Sequence, residues 1–212
     1  MADTLSIRPA GEPLATLILA HGAGAPMDSD FMYRLADALA ENGVATLRFE
    51  FPYMAERRRT GTRRPPDRRE VLLDTWRDIY RRLADDRRGP VLIGGKSLGG
   101  RMASMVAGEL KPAGFCCFGY PFHPPGKPEK MRTEHLEALD VPGLIVQGTR
   151  DPFGKPAELA DVALSRWIRI HWLEAGDHDF KPTVKSGRTR AQLLGEAAAS
   201  VADFCRSLAG RQ

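Results

Sequence analysis

Residues 91–100 read VLIGGKSLGG, and this stretch decides the fold. The apolar run 91–93 is typical of a buried strand, and a helical pattern begins at Leu98. Glycines stand two residues before and two residues after Ser97, so the chain can turn there more tightly than larger side chains would permit. Such a turn presents the serine hydroxyl at the end of a strand, beside the N-terminus of a helix. The stretch therefore predicts a strand, a serine nucleophile and a helix in direct succession.

The same glycines have two other interpretations. A phosphate-binding loop needs a glycine five residues before its Gly-Lys pair, and that position is held by Pro90. The sequence therefore disfavours a phosphate loop. The alternative to a catalytic turn is that the glycines serve only close packing between a strand and a helix. Residues further along the chain distinguish these two interpretations.

The rest of the chain alternates short apolar runs with longer amphipathic stretches. This alternation predicts an α/β fold, a three-layer sandwich in which helices cover both faces of a mostly parallel central sheet. A chain of 212 residues without a low-complexity linker predicts one domain over 1–212. The expected strands are 14–20, 44–49, 91–93, 114–118, 143–146 and 168–173; the expected helices are 29–42, 67–85, 98–110, 156–165 and 190–208; the longest irregular stretches are 51–66, 120–133 and 174–189.

A serine nucleophile needs a base and a group that orients the base. Asp151 lies in a turn after the expected strand 143–146, and His178 follows the next expected strand, 168–173. The carboxyl ends of parallel strands lie at one edge of a sheet, so these side chains are expected to meet Ser97 there. Alone, the aspartate would be a turn former and the histidine a solvated loop residue. Together they favour a catalytic triad of Ser97, Asp151 and His178.

A candidate oxyanion hole precedes the nucleophile in the chain. Residues 21–25, HGAGA, end the first expected strand, and their small side chains let backbone N–H groups face a developing oxyanion. The expected donors are the N–H groups of Ala23 and Leu98, with Gly22 as the other candidate. Losing one such donor usually lowers kcat by about 10² to 10³.

Several side chains near the expected carboxyl edge are candidates for contact with a substrate. Lys96 could bind an anionic group or simply pack inside the turn. For two of the candidates, His21 and His123, a structural role as a hydrogen-bonded loop anchor is favoured. The proline-rich stretch 120–128 is expected to form a stiff wall near the nucleophile. The candidates are His21, Tyr53, Lys96, Tyr120 and His123.

The basic charge is concentrated in one segment. The chain carries a net charge of +4, while residues 57–88 contain 12 arginines, no lysine and six acidic residues. One interpretation is a basic rim at the pocket mouth that attracts an anionic substrate. The favoured one is a solvated face whose arginines pair with neighbouring acids. The small net charge argues against nucleic-acid binding, so no such partner is expected.

Composition limits the other classes of function. No apolar run approaches the roughly 20 residues of a membrane span, and the N-terminus lacks the layout of a secretory signal. A cytoplasmic protein without a membrane partner is therefore expected, as a monomer or homodimer. The three cysteines lack the spacing of a disulfide framework or a metal site and are expected in the core. No metal or organic cofactor is expected.

With these elements in place, the sequence resembles the α/β-hydrolase superfamily, dienelactone-hydrolase-like branch. Within it the chain is most similar to a small family of bacterial predicted hydrolases that also includes an animal testis-expressed protein and a nuclear acetyltransferase-complex subunit. The resemblance implies Ser97 as nucleophile, Asp151 as orienting acid and His178 as base, but it supplies no substrate. Dienelactone hydrolase uses a cysteine nucleophile, so its reaction does not transfer directly. The matching motifs are HGAGA at 21–25, RFEFPY at 48–53, GGKSLGGR at 94–101, GYPFHPPGKP at 119–128, QGTRDPFG at 147–154 and GDHDF at 176–180.

The expected function is esterase-like acyl transfer to water by a serine hydrolase. The substrate would be a small ester, thioester or lactone, because no insertion is long enough for a large lid and the site should be open and shallow. The sequence does not decide whether that substrate carries an anionic group. The alternative is a non-catalytic binding or scaffold module with a vestigial triad. The presence of all three triad residue types favours the enzyme, since an abandoned site would not need them.

Overall fold

A computed structural model describes residues 4–84 and 89–210. Within these ranges seven strands form one sheet, and the expected α/β architecture is confirmed. The strands are β1 (Thr4–Ile7), β2 (Ala15–Ala20), β3 (Val44–Phe49), β4 (Val91–Lys96), β5 (Gly114–Phe118), β6 (Gly143–Gly148) and β7 (Ile168–Leu173). The helices are α1 (Asp30–Glu41), α2 (Pro52–Thr60), α3 (Arg69–Ala84), α4 (Leu98–Leu110), α5 (Glu134–Glu137), α6 (Pro156–Leu159) and α7 (Arg190–Ala209), with a 3-10 turn at Val184–Ser186.

The spatial order of the sheet is β1-β3-β2-β4-β5-β6-β7. β1 pairs antiparallel with β3, and the other neighbouring strands are parallel. The register pairs Ala20 of β2 with Gly95 of β4, and Lys96 of β4 with Phe118 of β5. The segments that leave these three strands therefore start side by side at one edge, as expected for a site at the carboxyl ends of parallel strands.

Alternating side chains of the central strands enter two different cores. Cys116 of β5 packs on the face covered by α1 and α7, while its neighbour Cys117 packs on the face covered by α3 and α4. The adjacent cysteines point to opposite faces because side chains alternate along a strand. Both are fully buried, as is Trp76 of α3, and Cys205 of α7 is 2% exposed. The expectation that the cysteines are core residues is confirmed.

Local structure differs from the sequence prediction at several places. β1 was not expected, because its four residues at the sheet edge are too short a run to indicate a strand. The segment predicted as irregular over 51–66 contains α2, which begins with Pro52 in the first turn and ends at Gly61 in the left-handed conformation (φ 71°). α6 stops at Leu159, short of the predicted 165. Residue 85, the predicted end of the second helix, lies outside the described residues.

Two further findings concern the described residues only. None of the described helices combines the length and the apolar character that a membrane crossing requires. Among the same residues, no three histidine, cysteine or acidic side chains cluster in a way that would hold a metal ion.

Candidate active site

Ser97 lies in a strained turn between β4 and α4. Its backbone φ is 49° and ψ is −112°, an unusual conformation for a residue with a side chain. The flanking glycines make this turn possible. A Cβ on Gly95 would lie 2.6 Å from the Ala20 carbonyl oxygen, and a Cβ on Gly99 would lie 2.5 Å from the His21 carbonyl oxygen. The glycines thus allow β2 and the β4–α4 turn to approach each other, as the Gly-x-Ser-x-Gly pattern predicts.

Asp151 and His178 are hydrogen-bonded to each other. The Nδ1 atom of His178 lies 2.8 Å from Oδ2 of Asp151, and the aspartate is fully buried while 21% of the histidine side chain is exposed. The other carboxylate oxygen, Oδ1, accepts a hydrogen bond of 2.9 Å from the Phe153 N–H. Both oxygens of Asp151 are therefore bonded, and the imidazole is held with its Nε2 edge away from the acid. The structure thus brings these two predicted site residues into direct contact.

Close backbone contacts join the loop that follows β6, which carries Asp151, to the loop that follows β7, which carries His178. A Cβ on Gly148 would lie 2.3 Å from the Gly176 carbonyl oxygen, so glycine permits the β6 and β7 loops to meet. Gly119, with φ of 68°, lies against the His178 imidazole: a Cβ there would be 3.1 Å from His178 Nδ1. The buried Gln147 side chain accepts a 2.7 Å hydrogen bond from the Tyr120 N–H and donates to the carbonyls of Tyr120 and Gly154.

Ser97 and His178 line the same pocket, whose volume is about 330 Å³. One wall is the backbone of residues 22–25, and another is formed by Phe31 of α1 and Phe153 after β6. The Phe153 and His178 rings pack with centroids 4.4 Å apart. The full lining is Gly22, Ala23, Gly24, Ala25, Ser29, Phe31, Met32, Lys96, Ser97, Phe153, His178 and Asp179.

Candidate oxyanion donors lie beside this pocket. Ala23 lines it directly, and Leu98 is the first residue of α4, where backbone N–H groups have no partner within the helix. Within the described parts of the chain, neither N–H has a protein acceptor. The Tyr53 hydroxyl donates to the carbonyls of Gly22 (3.3 Å) and Ala23 (3.2 Å), which fixes this segment of the pocket lining.

Lys96 is the one predicted substrate contact that lines the pocket. Its Nζ lies 3.6 Å from Oδ1 of Asp179 and 5.3 Å from the centroid of the Phe31 ring. Only 8% of the side chain is exposed, and burial lowers the pKa of Lys96 to about 8. The pocket is therefore lined by a lysine side chain on the residue that directly precedes the candidate nucleophile.

The remaining predicted contacts are engaged elsewhere. His21 is fully buried, with Nδ1 bonded to the Gly22 carbonyl (2.7 Å) and Nε2 accepting from the Phe51 N–H (3.1 Å), and burial lowers its pKa. His21 is thus a neutral loop anchor, the role favoured from the sequence.

Tyr53, Tyr120 and His123 are also not among the residues that line this pocket. The Tyr120 hydroxyl donates to the Arg132 carbonyl at 2.9 Å, and His123 is 1% exposed with Nδ1 at 2.8 Å from the Pro124 carbonyl. Each polar group satisfies protein atoms, so the structure places these three side chains in the framework of the site rather than in its pocket.

The first arginines of the basic segment are largely paired. Arg58 of α2 bonds both Asp28 and Glu50, at 2.8 and 2.7 Å, and Arg59 pairs with Glu56 at 2.7 Å. Acidic side chains satisfy these two guanidinium groups, which fits the favoured interpretation of a paired face better than a rim open to substrate.

Other pocket features were not identified from the sequence. Asp179 stands next to His178 and pairs with Lys96, and Phe31 reaches the pocket from α1. Their positions depend on how α1 and the β7 loop pack across the sheet edge. The motifs that contain Gln147 and Phe153 were recognised, but no pattern indicated what either side chain contacts.

The same architecture is found in known proteins. An α/β serine hydrolase without a lid from Xanthomonas campestris is 19% identical, with a TM-score of 0.70 over 95% of this chain and 88% of that one. Dienelactone hydrolase from Anabaena variabilis is 23% identical, with a TM-score of 0.64 over 91% and 88%. Est1E from Butyrivibrio proteoclasticus, solved with ferulic acid bound, is 15% identical, with a TM-score of 0.71 over 97% and 95%. These likenesses concern the fold, whereas residues 13–206 match the sequence family described as the alpha/beta hydrolase domain. A match over nearly the whole chain, on the fold described above, shows that this protein belongs to the alpha/beta hydrolase domain family.

Proposed function

We propose that the protein is a serine hydrolase that transfers an acyl group from an ester-type substrate to water. One observation carries the proposal: Ser97, on its strained turn, and His178, oriented by Asp151, line one pocket. A nucleophile, a base and a group that orients the base are the parts that acyl transfer needs. The alpha/beta hydrolase domain family and the serine hydrolase among its structural neighbours support the same reaction class.

The proposed mechanism gives each of these groups a role. Asp151 Oδ2 accepts the Nδ1 proton of His178, so Nε2 is left to take the proton of Ser97 as its Oγ attacks the carbonyl carbon. The carbonyl oxygen becomes an oxyanion, which the N–H groups of Ala23 and Leu98 stabilise. When the tetrahedral intermediate collapses, the bond to the leaving group breaks and His178 returns the proton to it. Water, deprotonated by the same histidine, then releases the acyl group and restores Ser97.

The pocket sets the size of the substrate. A volume of about 330 Å³ stands at the lower end of the roughly 300–1,000 Å³ typical of small-molecule sites. A small ester, thioester or lactone therefore fits better than a long lipid chain. From the motif resemblance we also propose that the chain belongs to the dienelactone-hydrolase-like branch and its small bacterial family, although here the proposed nucleophile is serine.

A panel of small esters, thioesters and lactones tests the proposal. We expect measurable hydrolysis by the wild-type protein and a loss of at least about 10³ in kcat for Ser97→Ala, because removing a triad member leaves only the oxyanion hole and binding. Ser200→Ala, a serine-to-alanine change in α7 remote from the pocket, is the matched control and should retain activity. Equal rates for wild type and Ser97→Ala would instead favour a scaffold with a vestigial triad.

A further inference from the structure

Lys96 is the one cation among the residues that line the pocket, and acyl transfer gives it no task. Its stem packs against the residue 22 backbone, since a Cβ on Gly22 would lie 3.4 Å from Lys96 Cγ. Its ammonium lies 5.3 Å from the centroid of the Phe31 ring, on a side chain that is 8% exposed. The positive charge is thus held inside the pocket rather than in bulk solvent.

The protein neutralises this charge incompletely. The Asp179 carboxylate lies 3.6 Å from Lys96 Nζ, beyond the roughly 2.7–2.9 Å of a charge-assisted hydrogen bond. The same carboxylate is 49% exposed and lies 3.9 Å from Lys181 Nζ, so it is shared and solvated. The Phe31 ring attracts a cation without cancelling its charge. Burial lowers the pKa of Lys96 to about 8, so the ammonium is poorly solvated yet mainly protonated at neutral pH.

We propose that Lys96 Nζ binds a carboxylate carried by the substrate, so that the site prefers monoanionic esters to neutral esters of the same length. The substrate carboxylate replaces Asp179 as the closer partner, and the half-exposed Asp179 side chain remains in solvent. This inference rests on the proposed hydrolase function, because it places the anion beside the carbonyl that Ser97 attacks. It also moves charge recognition from the arginine segment, where Arg58 and Arg59 are already paired, to the pocket itself.

The test compares kcat/KM for matched esters at pH 6.5, where Lys96 is protonated. Monoethyl esters of C3–C6 dicarboxylic acids place the carboxylate on the acyl side, and acetylated hydroxy acids place it on the alcohol side. Neutral esters of equal length serve as references. We expect the best anionic ester to exceed its neutral reference by about 10- to 100-fold, the range for a hydrogen bond between charged groups.

Three variants assign that ratio to its residue. Lys96→Met keeps the length of the side chain and should reduce the ratio by at least about tenfold. Asp179→Asn removes the competing carboxylate and should raise the ratio several-fold. If Lys96→Met fails to fold, this second variant still tests whether Lys96 binds the substrate carboxylate. Lys185→Met, which removes an exposed lysine outside the pocket lining, is the matched control and should leave the ratio unchanged. A wild-type ratio near one in both series, or a ratio unaffected by Lys96→Met and Asp179→Asn, would overturn the inference.

Binding separates this inference from the proposed reaction. In the Ser97→Ala background, NMR titration with monoethyl glutarate and ethyl valerate measures charge preference without turnover. One outcome is binding that favours the anionic ester and loses this preference when Lys96→Met is added, while the wild type hydrolyses nothing. That outcome would support the Lys96 site and refute the hydrolase. Hydrolysis of anionic and neutral esters at equal rates would support the hydrolase and refute the Lys96 site.

Discussion

Replacing Lys96 with methionine should make the protein more stable at neutral pH. In the unfolded chain the lysine has a pKa of 10.5, and in the folded protein burial lowers it to about 8. Each pKa unit corresponds to about 1.4 kcal/mol, so the charged form disfavours folding by about 3 kcal/mol at pH 7. Methionine fills the same apolar path without a charge. The expected gain is about 3 kcal/mol in the free energy of unfolding, or roughly 6–12 °C in Tm for a chain of this size.

The pH dependence distinguishes this cause from better packing. Between pH 8 and 10.5 the unfolded lysine still holds its proton while the folded one has lost it, so wild-type stability rises with pH over that window relative to the variant. The acidic groups that act on the ammonium, Asp179, Asp151 and Asp177, favour its charged form, and burial outweighs them. The advantage of Lys96→Met should therefore shrink from about 3 kcal/mol at pH 7 toward zero near pH 10.5.

Urea unfolding of both proteins at pH 7 and at pH 10 measures this difference, with Lys181→Met, in the loop after β7, as the control for an exposed lysine. The control should differ little from wild type at either pH. A Lys96→Met protein that is no more stable than wild type at pH 7 would refute the reasoning. So would an advantage that stays constant up to pH 10, since a constant gain points to packing.

The remaining predictions concern the triad, its neighbour and the core. Asp151→Asn should lower kcat by about 10⁴ with little change in KM, because the amide favours the wrong imidazole tautomer; ester-hydrolysis kinetics measure it. Gly119→Ala should lower kcat more than it raises KM, because its Cβ would lie 3.1 Å from His178 Nδ1 at a backbone φ of 68°. Trp76→Ala should cost about 3–5 kcal/mol in urea unfolding, since this fully buried side chain fills the core between α3 and the sheet.

The sequence places the three proposed triad residues at one edge of the sheet for a physical reason. Ser97, Asp151 and His178 each follow a strand whose apolar run is readable, and parallel strands must end at one edge. The glycines around Ser97 were informative because only their lack of a Cβ lets β2 approach the turn. Each of these patterns spans only about ten residues. The local structure that it predicts therefore does not depend on how distant parts of the chain pack.

Other features depend on distant packing and could not be read from the sequence. Phe31 reaches the pocket because α1 packs against α7, whose first residue, Arg190, pairs with Asp30 across 160 residues of chain. His21 and Tyr120 stand at the expected edge, but only the fold shows that backbone groups already bond their polar atoms. α2 was predicted as irregular because its proline and arginines resemble a loop, although proline fits the first helical turn.

The most direct test of the central claim is labelling of the folded protein with a fluorophosphonate probe, read by peptide mass spectrometry. The probe phosphonylates a serine only when a base and an oxyanion hole activate it. We expect one label per chain, on the peptide that contains Ser97. Labelling should be absent in Ser97→Ala and strongly slowed in Asp151→Asn. A folded wild-type protein that leaves Ser97 unmodified, or takes the label on another residue, would contradict the account.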